Sequence, residues 1–290
     1  MPMTPQAHPR RSAIYVPAHS ARALEKVRSL PCDVVVLDLE DSVGPDAKHQ
    51  ARAAAVEAVG DKRFGSREVV IRTNDLSTPW GEEDLFAVAR AKPDAVLVPK
   101  ISAASDLVAA RAALRGEVPL WAMIETCAAM LRLNEVGAAS VEAGVEVWVI
   151  GSNDLAEEMR CGQTVARAGL QTALSMNVIA ARAFGLGILD GVFFDVSDAD
   201  GLAIQCVQGA DLGFDGKTLI HPNQIEIANR AFTPDEAAVA WARAIVAAFD
   251  MPGNAGQGVV NVEGRRVERP HYEEARRLIQ VADAIAAAGR

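Results

Sequence analysis

Two short motifs, Met123-Ile124-Glu125-Thr126 and Gly151-Ser152-Asn153-Asp154, each follow an apolar run, so Glu125 and Asp154 arrive at matching places in consecutive units of the chain. Two carboxylates with no His or Cys among them make an oxygen-only site. That suits hard Mg2+, with Mn2+ as its substitute, better than Zn2+, and it leaves positions open for water and substrate. The plainer use of the same acids is to cap or open a helix, because negative charge is favoured in a first turn. Arg72 also follows an apolar run; its guanidinium could fork onto a carboxylate and steady an enolate oxygen. Its plainer use is an ion pair with Asp38, Glu40 or Asp41, acids that could instead orient metal-bound water. Lys100 closes a further apolar run, with no role that its type alone assigns. After the last run come Gly216, Lys217, His221 and Pro222. A single Gly-Lys pair without P-loop spacing is a weak phosphate signal, and a lone His is more often a hydrogen-bond partner than a ligand.

These residues need a scaffold that ends several strands on one face. Short Val- and Ile-rich runs fall at Ser12–Pro17, Val34–Leu39, Glu68–Arg72, Ala95–Pro99, Leu120–Ile124, Val145–Ile150 and Gly187–Val192, with a weaker one near Leu212–Thr218. Ala- and Leu-rich stretches of helical period alternate with them. Runs apolar throughout are buried on both faces, as in a parallel sheet under helices. The expected fold class is α/β, a TIM (β/α)8 barrel over residues 1–233, in which functional groups gather where strands end. Residues 234–290 form a small C-terminal module. Thr233 and Pro234 open a helix through Ala248, a Gly-rich linker follows, Glu263-Gly264 turns a hairpin, and an amphipathic helix ends the chain.

Composition narrows the function. The 290 residues are 50% hydrophobic and carry a net charge of −9, which suits a folded globular protein and argues against a nucleic-acid surface. Cys32, Cys127, Cys161 and Cys206 are too scattered for a zinc site or a disulfide framework. No apolar run of membrane-spanning length and no signal-like N-terminal stretch occurs, so a soluble cytoplasmic protein with no membrane partner is expected.

Taken in order, RSAIYVPAHSARALEK, VVVLDLEDSV, VVIRTND, VLVPK, AMIET, GSNDLAEEM and GFDGKTLIHPNQI resemble the citrate lyase β-subunit-like proteins of the HpcH/HpaI aldolase group, which include malyl-CoA and citramalyl-CoA lyases. The likeness covers almost the whole chain. It implies Mg2+ on Glu125 and Asp154, substrate contact by Arg72, and a CoA thioester bound through Arg11, Ser12 and Lys26, with Lys217 and His221 as further contacts; Glu40 and Asp41, beside Arg72, are the candidate catalytic acids read from the residues themselves. It also implies a homotrimer or hexamer in which the C-terminal segment is a lid closing on the neighbouring subunit.

In the lyases that lid reads Gly-Lys-Met-Ile-Asp-x-Pro-His with a catalytic Asp. Here Gly264-Arg265-Arg266-Val267-Glu268-Arg269-Pro270-His271 puts Glu268 at that place. Where many lyases read Gly-Ala-Glu-Asp, this chain has Gly151 to Asp154 with Asn153 as an amide. The activity implied is Mg2+-dependent carbon-carbon cleavage, or formation, of a 3-hydroxyacyl-CoA, giving a 2-oxo acid and an acyl-CoA. The alternatives are a thioesterase within the same group, a CoA-independent 4-hydroxy-2-oxo acid aldolase using a base such as His19 or His49, and a citrate lyase β-subunit acting on an acyl-carrier thioester.

Overall fold

A computed structural model describes residues 8–116 and 118–289. Eight parallel strands close into a barrel in chain order: β1 (Ser12–Pro17), β2 (Val34–Asp38), β3 (Glu68–Arg72), β4 (Ala95–Ile101), β5 (Leu120–Ile124), β6 (Val145–Ile150), β7 (Gly187–Asp190) and β8 (Gly216–Leu219). The crossovers carry helices α1 (Ala21–Val27), α2 (Lys48–Gly60), α3 (Gly81–Ala91), α4 (Ala104–Leu114), α5 (Cys127–Met130), α6 (Leu133–Glu142), α7 (Ser152–Met159), α8 (Gln171–Ala183), α9 (Ala199–Leu212) and α10 (Ile225–Phe232). The TIM barrel expected from the rhythm of apolar runs is the fold observed.

Alternation along each strand sorts side chains into two layers. Ala13, Val34, Val36, Val70, Leu97, Trp121 and Val149 fill the barrel interior. Their neighbours Ile14, Val35, Leu37, Ile71, Val96 and Trp148 pack outward under the helices. That double burial is why the runs have no polar face.

The eighth strand lies later than its sequence signal. Leu212 is the last residue of α9, which Gly213 ends in a left-handed conformation at φ 97°, and the strand begins only at Gly216. A glycine at this position lets the last turn close without a Cβ clash. Here Leu212 belongs to helical packing.

The chain divides into two compact units at Phe232/Thr233. The second, taken by itself, holds α11 (Glu236–Phe249), the antiparallel pair β9 (Val259–Val262) and β10 (Arg265–Glu268), and α12 (Arg269–Ala288). Asp235, rather than Thr233, caps α11, its side chain accepting from the Ala238 N–H at 2.7 Å. The hairpin turns at Glu263 and Gly264 with φ 51° and 82°, the pair of positive values that a two-residue type I′ turn requires. Ile245, Phe249, Val260, Val262, Val267 and Tyr272 give this unit a core of its own. Among the described residues no helix is long and apolar enough to cross a membrane.

Candidate active site at the barrel mouth

β5 ends at Ile124, paired with Ile150 of β6, so Glu125 and Gly151 leave the barrel side by side. A Cβ on residue 151 would sit 2.2 Å from Glu125 Oε2, so only glycine lets the carboxylate lie across this backbone. Glu125 does not cap the next helix. Thr126 does, accepting from the Ala129 N–H at 3.1 Å. The Glu125 side chain turns instead to β4, where the Lys100 N–H donates to its Oε1 at 2.8 Å. Asp154 is the third residue of α7, one turn beyond the end of β6, where an acid also suits the helix N-terminus.

Lys100 joins the two acids. β4 shifts register between Val98 and Ile101, and Lys100 takes φ 57° in the gap. Its Nζ lies 2.7 Å from Asp154 Oδ2 and 3.6 Å from Glu125 Oε1. Burial, followed by its hydrogen bond with Asp154, pushes the Glu125 carboxyl up to about 8. Burial works the same way on Asp154, but hydrogen bonds from Lys100 and Glu125 outweigh it and hold that carboxyl below its usual range. The two carboxyls are thus displaced in opposite directions, the more buried Glu125 upward and Asp154 downward.

Beside them, Asp38 and Arg72 occupy paired positions of β2 and β3. Register makes them a buried bidentate pair, with Nε to Oδ1 at 2.6 Å and Nη2 to Oδ2 at 2.7 Å. Nη1 lies 2.9 Å from Glu40 and 3.1 Å from Asp41, and the guanidinium stands 4.6 Å from the Tyr15 ring centroid. The three acids thus converge on Arg72. Its Nε/Nη2 edge, the fork expected to take a substrate carboxylate, is filled by Asp38, and Nη1 is taken by Glu40 and Asp41. Burial pushes the Glu40 carboxyl up to about 7 despite Arg72 beside it. The loop carrying Glu40 is fixed from behind by buried Lys48, whose Nζ donates to the Leu39 and Glu40 carbonyls at 2.8 and 2.9 Å and to Asn74 Oδ1 at 2.6 Å.

Other residues expected at the site lie elsewhere. Arg11 and Ser12 sit at the N-terminal end of β1, the end opposite the carboxylates. Arg11 forks onto buried Asp33 at 2.8 Å, and Ser12 Oγ donates to Asn229 Oδ1 at 2.6 Å. Lys26 is exposed on the last turn of α1. Lys217, expected to contact CoA, is instead fully buried, with Nζ 2.8 Å from Asp190 Oδ2, while Arg167 Nη1 takes Asp190 Oδ1 at 2.6 Å. Inside a strand the Gly-Lys pair has no loop with which to cradle a phosphate. His221 does lie after β8 on the mouth side, exposed, but its Nδ1 accepts from the Asn223 N–H at 3.3 Å as a cap for the following turn.

His19, in the loop after β1, has a buried Nδ1 with no hydrogen-bond partner, and His49 is exposed on α2. Neither has the second group that orients a base. Glu268 ends β10 in the C-terminal unit, exposed, with its backbone N–H donating to His271 Nδ1 at 3.0 Å.

Lys100 and Tyr15 are the members of the cluster that sequence reasoning left without a role. Position after an apolar run was the available signal for Lys100. For Tyr15, inside its run, there was none. A cavity of about 330 Å3 opens beside the first turn of α7, lined by Ser152, Gln163, Arg167, Phe193, Phe194 and Asp195 among others. Among the described residues no three His, Cys, Asp or Glu side chains gather as a metal cluster, so any cation here would be held by two carboxylates, with its remaining positions open.

The sequence profile of HpcH/HpaI aldolase/citrate lyase matches residues 11–222. The chain is 45% identical over 285 residues to a (3S)-malyl-CoA thioesterase of Cereibacter sphaeroides, covering 98% of this chain and 99% of the relative. It is 32% identical over 313 residues to an L-malyl-CoA/beta-methylmalyl-CoA lyase of the same organism, covering 98% of each. Among solved structures, the CitE protein of Mycobacterium tuberculosis, in complex with magnesium, acetoacetate and coenzyme A, aligns with a TM-score of 0.73 at 27% identity, over 94% of this chain and 97% of that one. By profile, by relatives matched along nearly their whole length and by the barrel itself, the chain belongs to the HpcH/HpaI aldolase/citrate lyase family.

Proposed function

We propose that this chain hydrolyses the CoA thioester of a short 3-hydroxy dicarboxylic acid of the malyl-CoA type, with Mg2+ held by Glu125 and Asp154. The observation that carries the reading is the pair of carboxylates at the barrel mouth, with Arg72 fixed nearby. The donor set fits the ion: it is all oxygen, and a positive charge, that of Lys100, already lies against both acids. When bound, such an ion supplies a Lewis acid for the carbonyl, hydroxyl or carboxylate oxygens of the substrate.

The remaining work falls to the protein's own groups. Asp38 holds Arg72 in place before substrate arrives, so its charge needs no reorganisation as negative charge grows on the thioester oxygen. Glu40, with a carboxyl near 7, can take or give a proton close to neutral pH. Glu268, exposed on the C-terminal unit, is the proposed partner in proton transfer. In hydrolysis, water oxygen bonds to the thioester carbon, its proton passes to a carboxylate, and the C–S bond breaks as the sulfur leaves and is protonated. In the lyase reaction a base removes the hydroxyl proton, the C–C bond breaks, and the thioester enolate is protonated.

Both reactions build charge on the same oxygen, so this geometry serves either. The higher identity to the thioesterase than to the lyase supports hydrolysis, and the lyase is the second reading. Malyl-CoA incubated with the protein and Mg2+ is expected to yield malate and free CoA in equal amounts. Acetyl-CoA with glyoxylate would instead assign the lyase. Glu268→Ala is expected to depress turnover by about a hundredfold while Mg2+ affinity stays near wild type. A wild-type rate would make the residue structural.

A further inference from the structure

Lys100 is placed by an irregular backbone. Pro99 has no N–H to offer a ladder, the register of β4 breaks, and Lys100 takes a left-handed conformation that L side chains rarely adopt. One residue thereby meets both acids. Its main-chain N–H holds Glu125 Oε1 at 2.8 Å, while its ammonium lies 2.7 Å from Asp154 and 3.6 Å from Glu125. The first contact belongs to the backbone and survives a change of side chain; the second belongs to the ammonium alone.

We propose that the Lys100 ammonium is an internal counter-cation that competes with the divalent ion for the Glu125–Asp154 pair, and so keeps that ion exchangeable rather than permanently held. The proposal rests on the reading that a divalent cation binds there. Both cations need lone pairs on the same two carboxylates, and a unit positive charge a few ångströms away repels an incoming one. The ammonium also has somewhere to go. Its side chain is 34% exposed, and Glu40 is a further carboxylate within electrostatic reach. A lysine serving only to neutralise a buried acid would have neither exit, and losing it would leave the carboxylates unpaired without improving any site.

The experiment is Mn2+ binding to the full-length protein without substrate, read from the electron paramagnetic resonance signal of free Mn2+ at one fixed pH and ionic strength. Lys100→Met is expected to bind Mn2+ about tenfold more tightly than wild type, and Lys100→Arg, which keeps the charge, to stay within about threefold. Without Mn2+, Lys100→Met should unfold at a lower temperature than wild type, with a larger rise on adding the ion. Wild-type or weaker affinity in a folded Lys100→Met protein overturns the proposal; if that variant does not fold, Lys100→Gln decides by the same criterion. Glu125→Gln separates the two claims. Binding that is present in wild type and lost in Glu125→Gln leaves the cation site standing, so that the Lys100 variants test only the competition, whereas no binding in wild type overturns both.

Discussion

Glu125 is 2% exposed, and its carboxyl rises to about 8 because burial penalises the charged form and the hydrogen bond with Asp154 favours the protonated one. From the ordinary value of 4.5 up to about 8, the folded protein holds a proton that the unfolded chain has released. Stability without metal is then fully present below the lower value and falls as pH rises through the upper one. A divalent ion needs the ionised carboxylate, so its affinity moves the opposite way, increasing with pH until Glu125 is fully ionised. Thermal unfolding in chelator across this window is expected to show a midpoint that declines with pH in wild type and a flatter profile in Glu125→Gln. Equal slopes would remove Glu125 as the group that titrates. In Mg2+, Glu125→Gln and Asp154→Asn should each lose at least about a hundredfold in cation affinity, more than a neighbour that merely orients a ligand would cost.

At the scale of elements, two cations meet one acid between β7 and β8, where Arg167 and Lys217 both bond to fully buried Asp190. Their charges outweigh the burial that opposes its ionisation and hold that carboxyl below its usual range. Asp190→Asn strands two buried cations and is expected to cost about 3–5 kcal/mol in denaturant unfolding. Lys217→Met, which leaves Arg167 paired and an apolar chain of similar length in the barrel, should cost less and leave the Michaelis constant for a CoA thioester unchanged. A raised constant would return Lys217 to the binding role that its Gly-Lys sequence suggested.

The same junction shows what sequence could and could not reveal. Nearly continuous apolar runs, such as Val34–Leu37 and Val147–Ile150, were legible in the sequence, and with them the acids that follow. The direction of Lys217 was not, because one residue of register decides whether a side chain enters the barrel or leaves it. The part played by Lys100 depends on a positive φ and a break in β4 that composition does not encode.

For the whole molecule, the carboxylate pair belongs to the barrel unit of residues 10–232, while Glu268 belongs to the C-terminal unit. The hairpin at Glu263-Gly264 was legible from the turn chemistry those residues need. A ligand that binds only the folded barrel stabilises it by mass action. Mg2+ at a hundred times its dissociation constant adds about 2.7 kcal/mol, which for a unit of this size is a rise of about 5–10 °C in unfolding midpoint. Differential scanning calorimetry of the full chain with Mg2+, with chelator and with Ca2+ in place of Mg2+ measures this directly. Wild type is expected to show the rise with Mg2+ and to lose it in chelator, and Glu125→Gln to show none. Ca2+ should give a smaller rise, since it calls for more oxygen ligands than two carboxylates and open positions readily supply. A midpoint equal in Mg2+ and chelator would mean that the two acids serve the fold alone, with Lys100 as their permanent partner.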